Sequence, residues 1–248
     1  IDSGTYLENI KAGDFFLSVC RYMNMNSFYD DNADREIMWK KSYDTLRSLN
    51  YIDFNIKTDE NITYNKAARI IVNVLGYRDL AQMYGGTDSD YIRVVSDYNL
   101  ISHLPDNLSS EMTRAEAALL IEDTLEADAR VFYGNNDYRY INALEYYKSS
   151  FKITGVVEAV SDCSVMNGNT IEDGIRIGNY TLVSDRKDLY DYLACKTEAY
   201  YREEKNGDRT LLYISYHNKN SMITIEGEDI ESLKKNTIVY NESESVKK

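Results

Sequence analysis

The feature that most constrains this chain is an apolar stencil written three times. Ala12, Phe15, Phe16, Val19 and Cys20 form one copy; Ala67, Ile70, Ile71, Val74 and Leu75 a second; Ala117, Leu120, Ile121, Thr124 and Leu125 a third. Each follows i, i+3, i+4, i+7, i+8, the spacing that lays a single stripe along an α-helix. Ala12 to Ala67 is 55 positions and Ala67 to Ala117 is 50, a period that marks a repeated supersecondary unit. One unit cannot bury its stripe alone, so the spacing predicts three ridges meeting at a common axis.

Shorter helical segments precede the second and third copies. Tyr43, Leu46 and Leu49 run into Asn50-Tyr51-Ile52, and Ile92, Val95 and Tyr98 run into Asn99-Leu100-Ile101. Asparagine tolerates the left-handed conformation that closes a helix, so Asn50 and Asn99 are expected to turn the chain out. Polar loops follow, 53–61 and 102–111, before Thr63 and Thr113 open the long helices. Thr113-Arg114-Ala115-Glu116 is a capping box, in which hydroxyl and carboxylate satisfy reciprocal N–H groups.

Beyond about residue 150 the period changes from helical to alternating. Ile153, 155–160, 174–183, 196–201, 211–216 and 222–225 are β-rich runs bounded by Gly, Asn and Asp. Lys205-Asn206-Gly207-Asp208 reads as a hairpin loop, and Leu189, Tyr190, Leu193 and Ala194 sit at helical spacing between strands. The expected architecture is α+β in two domains. Residues 1–127 form an all-α pseudo-threefold bundle, 128–150 a linker, 151–240 a small β-barrel of oligonucleotide/oligosaccharide-binding-like topology, and 241–248 a polar tail.

Aspartate and glutamate outnumber lysine and arginine 41 to 28, a formal charge of −13, which repels a phosphate backbone or an anionic lipid surface over most of the exterior. Neither nucleic acid nor membrane insertion is expected: no apolar run approaches the roughly 20 residues that span a bilayer. The N-terminus has no basic start or hydrophobic h-region, so the chain reads as a mature or excised segment. Cys20 lies in an apolar stripe as a small hydrophobe, whereas Cys163 and Cys195 can pair only if the fold brings them together.

Chemistry-bearing motifs are sparse. Asp30-Asp31-Asn32-Ala33-Asp34 places oxygens at calcium-loop positions 1, 3 and 5, but Arg35 stands at the glycine position and Lys41 at the bidentate glutamate, which rejects an EF-hand. His103 and His217 lie in different expected domains and make no zinc set with the scattered cysteines. No nucleophile elbow, phosphate-binding loop or dinucleotide fingerprint occurs. The expectation is therefore a non-enzyme without cofactor or metal. Tyrosine, with 23 copies, suits half-buried strand positions where the ring packs and the hydroxyl stays wet.

Helix, turn, polar loop and a threonine-capped helix written Met112-Thr113-Arg114-Ala115-Glu116-Ala117-Ala118 resemble the S-layer homology module of bacterial surface proteins. Phe28-Tyr29-Asp30 is similar to the Phe-x-Asp that starts such a repeat, and Leu104-Pro105-Asp106 to its loop. The resemblance covers roughly residues 5–127. Gly155-Val156-Val157 is similar to the opening strand of a small β domain that follows such repeats in clostridial-type surface proteins. The resemblance implies a secreted protein at the cell wall or cell surface, held there by secondary cell-wall polysaccharide in inter-repeat grooves. The implied glycan contacts are Arg114, Glu116, Asp30 and Trp39. The family's motif arginine falls on Arg114 alone, with Tyr64 in the second copy and Asn9 in the N-terminal one. The alternative is a protein–protein assembly module whose degenerate repeats join other surface-protein subunits or copies of itself and no longer bind glycan.

Overall fold

The computed structural model describes residues 5–29, 33–135, 137–165, 170–218, 220, 225, 227–234 and 237–240. Three short extended segments, 9–11, 61–63 and 111–113, lead into the helices α1 (Ala12–Tyr22), α3 (Tyr64–Val74) and α6 (Arg114–Glu126). Their main chains close a ring. Ile10 N donates to Met112 O at 2.9 Å, Met112 N to Ile62 O at 2.8 Å, and Ile62 N to Ile10 O at 3.3 Å. The bridges Asn9 with Thr113, Lys11 with Asn61 and Thr63 with Glu111 repeat the same relation. So do the bonds from Ala12 N to Glu60 O, Tyr64 N to Ser110 O and Arg114 N to Glu8 O. Each helix start thus finds acceptors for its orphan N–H groups on a neighbouring segment.

This ring fixes the repeat register, and it differs from the one read off the stencil. Ile10, Ile62 and Met112 are equivalent, so Ala67 and Ala117 correspond to Phe15, not to Ala12. A 3.6-residue pattern superposes on itself after a three-residue step, which is why the apolar spacing alone misplaced the first copy. The same register assigns Ala12 and Tyr64, rather than Asn9 and Tyr64, as the counterparts of Arg114. The stripes themselves are where the spacing put them. The first two stripes are buried throughout; in the third, Ala117, Leu120 and Thr124 are buried while Ile121 and Leu125 are half-buried.

Three of the remaining helices pack backwards along the chain. α2 (Arg35–Ser48) lies on α1, α5 (Asp88–Asp97) on α3, and α7 (Ala143–Lys148) on α6, while α4 (Arg78–Tyr84) packs on α5. α2 and α5 thus cover the stripe helix before them, where the sequence grouped each with the one after. Schellman closures end the helices as expected: Asn50 (φ 60°) and Asn99 (φ 50°) are left-handed, with Tyr51 N bonding Leu46 O and Leu100 N bonding Val95 O. Asn24 (φ 60°) closes α1 in the same way. After α3 the position is Gly76 (φ 83°), where a Cβ would stand 2.2 Å from Arg130 O.

Residues 128–150, expected to be a linker, instead carry an antiparallel hairpin of β1 (Asp128–Gly134) and β2 (Asp137–Asn142) followed by α7. Ala129, Ala143 and Leu144 are buried, the first two in the same core as the stripes. Tyr147 donates to Val74 O, Tyr22 to Thr124 O at 3.0 Å and Lys148 to Arg21 O at 2.6 Å, so side chains close the carbonyl ends of α3, α6 and α1.

The remaining strands are β3 (Phe151–Val160), β4 (Cys163–Ser164), β5 (Ile175–Ile177), β6 (Tyr180–Leu182), β7 (Lys196–Glu203), β8 (Arg209–Tyr216), β9 (Ile230–Lys234) and β10 (Thr237–Tyr240). One sheet runs β6-β5-β3-β7-β8, with β4 also on β3; β9 and β10 form a separate antiparallel hairpin. The fold is mixed α and β with antiparallel sheets, and the expected barrel is not closed. Among the described residues its end strands do not pair, and β5 and β6, three residues each, are too short to carry the tilt and stagger that closure demands. The hairpin loop sits where expected, with Gly207 (φ 90°) supplying positive φ. The helical spacing at 189–194 yields only a 3₁₀ stretch, Asp188–Tyr192. Of the run 222–225, all but the last residue lie outside the described residues, as does the tail 241–248. Two compact units result, Ile1–Ile153 with Tyr200–Tyr213 and Thr154–Ala199 with Ile214–Lys248.

Candidate functional site

Arg114 is the first residue of α6, where the helix dipole disfavours a cation, so its placement answers to something other than helix stability. Two carboxylates stand near its guanidinium, neither at hydrogen-bond distance: Asp14 Oδ2 is 3.6 Å from one terminal nitrogen and Glu8 Oε2 is 4.0 Å from Nε. Nε is buried, and among the described residues no acceptor pairs with it. Beside it lies a recess of about 490 Å³ between α1 and α6, lined by Ile10, Phe15, Ser18, Arg114, Ala117 and Ile121 among others.

The carboxylate nearest Arg114 is that of Asp14, in the first turn of α1. Its carboxylate accepts from Arg35 Nε at 3.1 Å, from the other Arg35 nitrogen at 2.6 Å and from Trp39 Nε1 at 2.9 Å. The Arg35 guanidinium also lies 5.0 Å over the Trp39 ring. Trp39 can come this close only because residue 13 is glycine: a Cβ there would stand 2.3 Å from the indole. The fold thus gathers Arg114 and Trp39 around one carboxylate from three helices. Asp14 and Arg35 were missed by the sequence reading. The only signal was the pair Gly13-Asp14 at a helix start.

The other expected contacts fare differently. Glu116 completes the capping box, its Oε2 accepting from Thr113 N at 2.7 Å and Thr113 Oγ1 at 2.9 Å, so its carboxylate serves the helix start. Asp30 lies outside the described residues, together with Asp31 and Asn32 of the rejected calcium loop. At the two positions equivalent to Arg114, Ala12 is fully buried, and Tyr64 is buried with its hydroxyl on His103 O at 2.8 Å. Only one of the three equivalent positions presents a cation.

A second polar cluster is complete in itself. Arg69 on α3 holds Asp53 through two bonds, 2.7 and 2.8 Å, and reaches Asp88 at 3.0 Å, while its guanidinium lies 4.5 Å over Tyr91. Burial on its own would raise the Asp53 carboxyl, but the Arg69 bonds and charge, with Tyr91 and Arg78, hold it below the usual carboxylate range. Asp123 likewise accepts from Ser102 N and His103 N, both at 3.0 Å. These groups tie the polar loops to the bundle. The three cysteines are free, Cys20 buried and the other two partly exposed. Among the described residues no helix is long and apolar enough to cross a membrane.

No protein-family model, no curated protein and no solved structure matches this chain.

Proposed function

We propose that this chain is a non-catalytic segment of a secreted bacterial surface protein, in which a degenerate S-layer homology bundle, followed by a small β portion, attaches to secondary cell-wall polysaccharide. The observation that carries the reading is Arg114 lining an open recess, its buried Nε without a hydrogen bond among the described residues, next to the cluster of Asp14, Arg35 and Trp39. A guanidinium held off its neighbouring carboxylates offers planar donors to a carboxylate or hydroxyl, and a sugar ring suits the mixed apolar lining. The cyclic hydrogen bonding of three helix starts supports the repeat assignment. With Ala12 and Tyr64 at the other two positions, Arg114 is the one cation among the three equivalent sites, and this reading assigns one binding groove to each chain.

Sedimentation with purified wall sacculi tests this. The chain is expected to pellet saturably at one site per molecule, and Arg114→Ala to weaken retention at least about tenfold, the scale of a lost charge-assisted hydrogen bond. No binding by the parent chain removes the anchoring claim. A second reading, an assembly module that no longer binds glycan, is favoured by the loss of arginine at two of three equivalent positions. It predicts concentration-dependent association without sacculus binding.

A further inference from the structure

The hairpin of β1 and β2 stands outside the three ring segments, and β2 is a bare edge. Arg130 N donates to Leu75 O at 2.7 Å, so the N–H of residue 130 points out of the hairpin. Arg130 faces Tyr140 across the ladder, which makes theirs a non-hydrogen-bonded pair. By alternation, the main-chain groups of Tyr138 and Tyr140 point outward from β2. Among the described residues no other backbone group takes them.

The charge on this element differs from that of the whole. Residues 128–142 carry Asp128, Arg130, Asp137 and Arg139, a net of zero in a chain of −13. Two copies repel each other over most of their surface but not here. Asp137 and Arg139 are exposed, two residues apart and therefore on one face, and Arg139 lies 4.1 Å over the Tyr133 ring. Phe132 and Tyr140, on the other face, are 58% and 52% exposed, residue types that supply interface contacts.

We propose that β2 pairs antiparallel with β2 of a second copy about a two-fold axis at Tyr138, joining two hairpins into one four-stranded sheet. In this register the outward groups of the two Tyr138 residues exchange hydrogen bonds. Asp137 of each copy stands opposite Arg139 of the other, at the closer, non-hydrogen-bonded spacing where side-chain pairs count most. A two-fold at Arg139 instead sets like charges face to face, which disfavours it. The proposal is independent of the groove at Arg114.

Sedimentation velocity of the full chain over a concentration series tests it. The apparent mass is expected to rise reversibly toward twice 28.7 kDa. Arg139→Asp places carboxylates opposite one another twice and weakens the dimer about tenfold; Asp137→Arg does the same with guanidinium groups. The double variant Asp137→Arg with Arg139→Asp restores both pairs and recovers dimerisation, while sacculus binding stays unchanged throughout. A chain that remains monomeric, a dimer indifferent to the single variants, or a double variant that does not recover overturns the proposal.

Discussion

Asp53 illustrates how the acidic surplus of this chain is spent on its own loops. Its carboxyl is held below the ordinary range in the folded state, so its contribution to stability is fully present above the unfolded value near 3.8. That contribution is lost as pH falls through the lower folded value. Acid titration followed by circular dichroism is expected to show an unfolding limb below about pH 4, and Asp53→Asn to make that limb shallower. Thr113 and Glu116 spend a hydroxyl and a carboxylate on the start of α6, and Thr113→Ala is expected to cost about 1 kcal/mol in urea denaturation. Cys20 is pushed up to about 12 by burial, so a thiol reagent is expected to label Cys163 and Cys195 in the native protein and leave Cys20 unmodified until it unfolds.

At the scale of elements, the contact between α1 and α2 builds the polar cluster around Asp14, next to Arg114. Trp39 is the only tryptophan, and its ring rests on Gly13. Gly13→Ala must push the indole away, at a cost of roughly 1–3 kcal/mol by overpacking. The expected readout is a red-shifted tryptophan emission together with weaker retention on sacculi. A variant that keeps the parent emission would mean the cluster around Asp14 tolerates a Cβ and is not rigid. The Asn-closed helix ends were legible because left-handed geometry admits few residue types. The partnering of helices was not, because a stripe says which face is buried but not which neighbour buries it.

For the whole molecule, the ring of main-chain bonds makes the three repeats interdependent. Each helix start donates to an acceptor in another copy, so a single-repeat peptide spanning 61–111 is expected to be largely unfolded by circular dichroism. The amino-acid sequence by itself determined two fully buried stripes and a third that is buried in part, the helix closures at Asn50 and Asn99, the capping box at Thr113 and the strands after residue 150. All of these follow from local periodicity and backbone preference. Only the tertiary structure decided the register of the first repeat, since a helical pattern is blind to a three-residue slip. It alone placed β1, β2 and α7 where a linker was expected, and left the later sheet open, since closure depends on strand lengths and pairing that no local pattern encodes. It also brought Asp14 and Arg35 to Arg114 and Trp39, because that convergence exists only once α2 and α6 both pack on α1.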